Sequence, residues 1–93
     1  MTDYPVSAEA LALHQQIIIF DGLSSSPITP QQAQRMQHGG LTAANMTTAW
    51  VDIGFADTCR SIAKVLSAIE QQPNMGIART VHDIHQAKAQ GRT

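Results

Sequence analysis

The feature that most constrains this chain is an unbroken apolar run, Ile17-Ile18-Ile19-Phe20, separated by one helical stretch from a second strand-like segment over 41–48. The run is β-branched and continuous instead of alternating, the pattern of a parallel strand covered on both faces. Asp21-Gly22 is expected to break it. The stretch between the two strands carries strong helix punctuation. Thr29 stands as N-cap, Pro30 at the first helical position and Gln32 where a capping box reaches back, with Ile28 and Ala33 set for a hydrophobic staple. Gly39-Gly40 supplies the stop. Strand, helix and strand in that order make a βαβ unit, which requires parallel pairing and a right-handed crossover.

The flanking segments read as helices. Ser7 caps a first one over residues 8–16, which is only weakly amphipathic. In the second strand the small residues Ala43, Ala44 and Asn45 suit a strand packed tightly between layers. Beyond a loop at 50–54, Phe55, Cys59, Ile62, Leu66 and Ile69 recur at steps of four and three, which predicts a third helix with one apolar stripe and makes Cys59 a packing residue. Pro73-Asn74 ends it, and 75–78 is a short apolar segment whose type the pattern does not assign. Thr80 caps a fourth helix with Asp83 at N3, Val81, Ile84 and Ala87 form its narrow apolar side, and Gly91 closes it.

At 93 residues the chain can make one core at most. Its 14% of charged residues falls below a norm of about a quarter, which suits a piece that is buried against something else. A net charge of −1 gives no electrostatic footprint for nucleic acid or an anionic membrane surface. The single Cys59 excludes an intrachain disulfide framework and a cysteine-rich zinc site. The opening MTDYPVSAEA has no basic n-region and the longest apolar run is far too short to span a bilayer, so a cytoplasmic location is the expectation. Two strands cannot support four helices on the faces of a parallel sheet, and both strand edges are left unpaired. The alternation therefore calls for a further strand just after Thr93, and 1–93 reads as a single incomplete α/β domain, the opening part of a larger (β/α) barrel-like one: an N-terminal helix, two parallel strands and three further helices.

The run ALALHQQIIIFDGLSSSPITPQQAQRMQHGGLTAANMTTAWVD, together with TVHDIHQAKAQGRT, resembles the N-terminal part of the membrane (renal) dipeptidase family of metallopeptidases. The order and spacing of the helix, the Asp-Gly strand, the Gly-Gly strand and the Asp-Ile…Ala-Lys…Gly segment carry the resemblance, which spans nearly all of this chain and about the first quarter to third of such an enzyme. It implies the N-terminal portion of a TIM-barrel-like (β/α)8 metallohydrolase domain, in which two zinc ions polarise a dipeptide carbonyl and activate a bridging water. In the family the first strand ends in Asp-Gly-His-x-Asp, whose His and second Asp bind metal. Leu23 and Ser25 occupy those positions here. Leucine cannot ligate zinc and serine rarely does. Zinc is thus the cofactor of the family, with none expected on this chain alone, and no catalytic or metal-binding residue is assigned.

Three residues remain as candidates for a barrel mouth. Asp21 stands at the expected strand end, although Asp-Gly is also an ordinary turn. Asn45 and Thr47 lie near the end of the second strand, where they would contact substrate or order a loop. The serines at 24–26 lack a G-x-S-x-G elbow and read as a polar loop. His82 and His85 fit a solvated helix face, His14 and His38 surface or capping positions, and Trp50 a packing anchor. Two functions follow. One is an N-terminal fragment of a dipeptide-hydrolysing metalloenzyme, inactive alone, whose partner is the rest of the barrel and whose complete form takes a dipeptide-like substrate. The other is a small non-catalytic α/β module that binds a partner or pairs with a second copy as a homodimer.

Overall fold

Serine and threonine hydroxyls start three of the four helices. In the computed structural model, which describes residues 5–93, Ser7 Oγ accepts from the Ala10 N–H at 3.1 Å and opens α1 (Ala8–Gln16). Residues 1–4, on which the reading of a start without targeting signal partly falls, lie outside the described residues. Thr29 Oγ1 accepts from Gln32 N at 3.1 Å and opens α2 (Pro30–His38), with Pro30 in the first turn. This is one half of a capping box, and among the described residues no bond returns from the Gln32 side chain. The other half forms only in α4 (Val81–Ala89), where Thr80 and Asp83 cap each other reciprocally. By contrast α3 (Phe55–Glu70) begins at Gly54 with no side-chain cap, its first turn held by Thr58 Oγ1 donating to Gly54 O at 2.9 Å.

Two of these helices end in the same way. Gly40, at φ 79°, lets Gly40 N–H donate to Gln37 O at 3.1 Å and Leu41 N–H to Met36 O at 3.0 Å, a Schellman pair that turns the chain straight into the second strand. Gly91, at φ 65°, does the same for α4, with Gly91 N–H on Lys88 O and Arg92 N–H on Ala87 O. Both glycines were legible as stops because only glycine enters this region without steric cost.

The sheet has two strands, β1 (Phe20–Ser24) and β2 (Ala43–Met46), paired in parallel as the strand-helix-strand order requires. Its placement corrects the sequence reading. The strand begins where the isoleucine run was expected to finish and passes through Asp21-Gly22. The cause lies at Ile19 and Thr42. Thr42, 2% exposed, accepts the Ile19 N–H on its Oγ1 at 3.1 Å, while Ile19 O takes the Thr42 N–H at 2.9 Å and the Ala43 N–H at 3.3 Å. A side chain thus stands in for a ladder bond, and regular pairing starts only at Phe20 with Ala43. Asp21 pairs with Ala44 but Ser24 with Met46, so β1 spends one extra residue between those pairs, a bulge at Gly22-Leu23. The Asp-Gly signal marks this bulge and not a strand end.

Ile17, Ile18 and Phe20 are exposed, so the run is not covered on two faces; among the described residues the one closely packed pair of elements is β1 with β2. The α3 stripe is likewise only half used. Ile69 is buried and Val65 packs against it, whereas Phe55 is 86% exposed and Cys59 and Leu66 are exposed. Cys59 and Trp50 are therefore surface residues, not packing ones. The buried apolar cluster consists of Met36, Ile69 and Met75, with Ile28, Ala33, Leu41, Ala44 and Val65 against it. A radius of gyration of 15.0 Å, against roughly 12 Å for a compact chain of this length, agrees with so small a core.

Hydrogen bonds at element ends do much of the fastening. The His14 Nε2–H donates to Gly39 O at 2.7 Å, tying α1 to the end of α2. Gln37 donates to Gly91 O at 3.2 Å and accepts from Asn74 at 3.1 Å. We expect Gly40→Ala to lower stability by about 1–2 kcal/mol, because φ is positive there and a Cβ would lie 2.8 Å from His14 Nε2. The double variant H14A/G40A relieves the clash but not the backbone strain, so urea titration should show Gly40→Ala costing less in the H14A background than in the original chain, but still costing stability. Thr42→Val should cost about 1–3 kcal/mol by leaving the Ile19 N–H without its acceptor, read by the same titration.

Candidate functional site: a groove beside the second strand

The turn from α2 into β2 leaves one long flank of β2 facing a gap. An open groove of about 510 Å³ is lined there by residues 42–46 and 75–78. Val65, Leu66 and Ile69 of α3 and Ile84 and Ala87 of α4 line it. Its surroundings are mostly apolar, with Thr42, Asn45, Asp83, Gln86, Arg92 and Thr93 among them, the composition common to sites that take small molecules or chain segments.

Arg92 and Thr93 stand at one end. The Arg92 guanidinium donates through Nη2 to Met75 O at 2.8 Å and lies close to Gly76, where a Cβ would sit 3.2 Å from that nitrogen. Thr93 donates its hydroxyl to Leu41 O at 3.0 Å. It also donates its N–H to Asn74 O at 2.9 Å and accepts the Gly76 N–H on its carbonyl at 3.1 Å. The last two bonds flank Met75 on both sides, the signature of a parallel bridge between Met75 and Thr93.

The residues singled out from sequence do not converge. Asn45 lines the groove and is exposed. Thr47 is half-buried beyond the end of β2, where its N–H donates to Ser24 O at 2.7 Å and lengthens the pairing by one residue. Asp21 is spent on local structure, its Oδ1 accepting the Leu23 N–H at 3.1 Å across the bulge. Leu23 is 74% exposed, Ser25 is exposed, and Ser24 continues the strand. His38, His82 and His85 are exposed and none lines the groove.

Sequence reasoning missed the groove itself. The signal was present in the apolar residues at 75–78 and in Ile84 and Ala87, but nothing in their spacing says that they face the edge of β2.

Asp83 is the titratable group of the groove wall with a displaced proton equilibrium. The Arg79 N–H, donating to its Oδ2 at 2.8 Å, holds the carboxyl below its ordinary value; the Thr80 N–H at 3.0 Å, the Thr80 hydroxyl and the nearby His82 act in the same direction, against a smaller opposing effect of burial.

No family model, curated protein or solved structure matches the chain. The comparisons thus supply no link to the dipeptidase family, and among the described residues no group of three or more His, Cys, Asp or Glu side chains is placed to hold a metal ion. The zinc, metallopeptidase and TIM-barrel features that the resemblance implied are corrected accordingly: the donor set is missing and the sheet is an open pair of strands. Among the described residues no helix is long and apolar enough to cross a membrane.

A carboxyl with a lowered folded-state pKa contributes stability that is fully present above its unfolded value, near 4, and is lost as pH falls through the lowered value. Acidification below pH ~4 should therefore fray the start of α4 and loosen this groove wall. Asp83→Asn should remove that pH dependence, measured as amide exchange at residues 81–84 between pH 5 and 2.5.

Proposed function

We propose that this chain acts by binding and not by catalysis, and that its site is the groove along β2, which takes an extended polypeptide segment by strand addition. The observation that carries this reading is the open 510 Å³ groove lying against a strand of a two-stranded parallel sheet. The outer edge of such a strand offers backbone N–H and C=O groups to another strand, and the adjoining aliphatic side chains reward every second residue of a segment laid there. Parallel sheets are stable where both faces are covered, and in a sheet of two strands the outer edge of β2 presents unpaired backbone groups that an added strand would satisfy.

The side chains present support binding over turnover. Asp21 is engaged in the bulge, the histidines stand apart from the groove, and the nearest carboxyl, Asp83, is held ionised by the cap of α4.

The test is a titration of the isotope-labelled chain with a lysine-flanked peptide of four alternating valine and isoleucine residues, followed by amide shifts and exchange. Saturable slowing of exchange at residues 42–46, with a Kd in the micromolar to millimolar range expected of one short added strand (~1 μM–1 mM), is the expected result. Leu66→Asp, which puts a charge on the groove lining, should weaken it by at least ~10-fold. Uniform small shifts with no change at 42–46, or cleavage of the peptide, would overturn the reading.

A further inference from the structure

We infer that α3 is the interface of a twofold dimer, in which its unpartnered apolar stripe packs antiparallel against the same stripe of a second copy. This surface is a helix face and not the strand edge of β2, and of its residues only Leu66 also lines the groove.

The stripe runs Phe55, Cys59, Ile62, Leu66 at steps of four, three and four, and all four side chains are exposed. Ile69, one step further on, is taken up by the chain's own core. A spacing that averages 3.5 residues is that of a two-helix seam, in which each side chain enters a hole formed by the facing helix. The exposed part of the stripe also has the same spacing read from either end. Set antiparallel against a copy of itself, it closes about a twofold axis between Arg60 and Ser61, with Phe55 against Leu66 of the partner subunit and Cys59 against Ile62 of the partner subunit. In that register the position opposite Ile69 is residue 52, before the helix begins, so the seam leaves out the one stripe residue that is already buried.

The positions beside the stripe favour a second copy over an unlike partner. In a two-helix seam these positions select the partner through their charges. Here they are Ala56 and Ala63 on one side and Thr58 and Val65 on the other, none of them charged. Asp57, Arg60 and Lys64 fall on the outer face of the helix, where Asp57 and Arg60 form a salt bridge at 2.8 Å. Like charges are therefore not brought together across the axis, and the two alanines permit the close end, about 8 Å, of the usual range of interaxial distances.

The chain also has surface to cover. Its accessible surface is 7180 Å², whereas a compact monomer of its mass exposes roughly 5,200 Å², and the surplus exceeds the ~800 Å² per partner that a specific interface removes. The aromatic residues among those described, Phe20, Trp50 and Phe55, are all exposed, and Trp50 and exposed Val51 directly precede the Phe55 end of α3. Tryptophan and phenylalanine are the residue types that interfaces concentrate.

The experiment is sedimentation equilibrium of the full chain between ~1 μM and ~1 mM, with a monomer–dimer Kd of ~1–100 μM expected. Ile62→Asp should weaken association at least ~10-fold, while Val81→Asp, a charge on an exposed apolar residue of α4, should leave it unchanged. Phe55→Lys and Leu66→Glu should each weaken it, and an equimolar mixture of the two variants should restore it, because the antiparallel register sets the two new charges against one another. That rescue also shows that neither variant has merely failed to fold. A monomer at every concentration, or association indifferent to Ile62→Asp or equally weakened by Val81→Asp, would sink the proposal; a mixture no stronger than either variant alone would sink the antiparallel register. Strand addition is judged separately, by exchange at residues 42–46, since Ile62 does not line the groove.

Discussion

One small exchange of hydrogen bonds between Ile19 and Thr42 decides where everything else lies. The Thr42 side chain is almost wholly buried, and its hydroxyl gives the Ile19 N–H an acceptor that the neighbouring backbone does not. The Ile19 carbonyl, in turn, takes two successive amides of the incoming strand. A backbone donor left unpaired inside the protein costs more than a typical hydrogen bond returns, so this junction fixes the register at which β1 meets β2. The bulge, the short strands and the position of the open flank all follow from that starting point.

The helix ends were legible in the residues, and the strands much less so. Ser7, Thr29 and Thr80 announce their helices because a hydroxyl three residues ahead of a first-turn amide meets a local need, one that tertiary context does not change. Gly40 and Gly91 are legible for the same reason. Strand placement depends instead on a partner far away in sequence. Nothing near Ile17-Ile18-Ile19 tells that a threonine 23 positions on will intercept the ladder, so the pattern placed the strand early and read Asp21-Gly22 as its end. The apolar periodicity of α3 likewise states which face is apolar, while how much of that face is covered depends on what arrives to cover it.

The same limit applies to the candidate site. Asp21, Asn45 and Thr47 were chosen for standing near strand ends, and of these only Asn45 touches the groove, whose walls come from β2, α3, α4 and an irregular segment. A groove of this kind has no motif. It exists because a strand flank, two helix faces and a returning chain end surround a space that none of them fills, and aliphatic residues at each of those places look from sequence like ordinary core positions.

The hydrogen bond between the Thr93 hydroxyl and Leu41 O spans 52 residues, whereas the Ile19–Thr42 junction spans 23. Loop-closure entropy grows only with the logarithm of length, so the longer ring costs roughly 0.7 kcal/mol more to close than the shorter one. Both rings meet in one apolar cluster, with Met36 contributed by the shorter ring and Ile69 and Met75 by the longer. The β1-α2-β2 ring is therefore slightly cheaper to close, and the ring that carries α3 and α4 offsets its longer span by supplying two of the three side chains of the shared cluster.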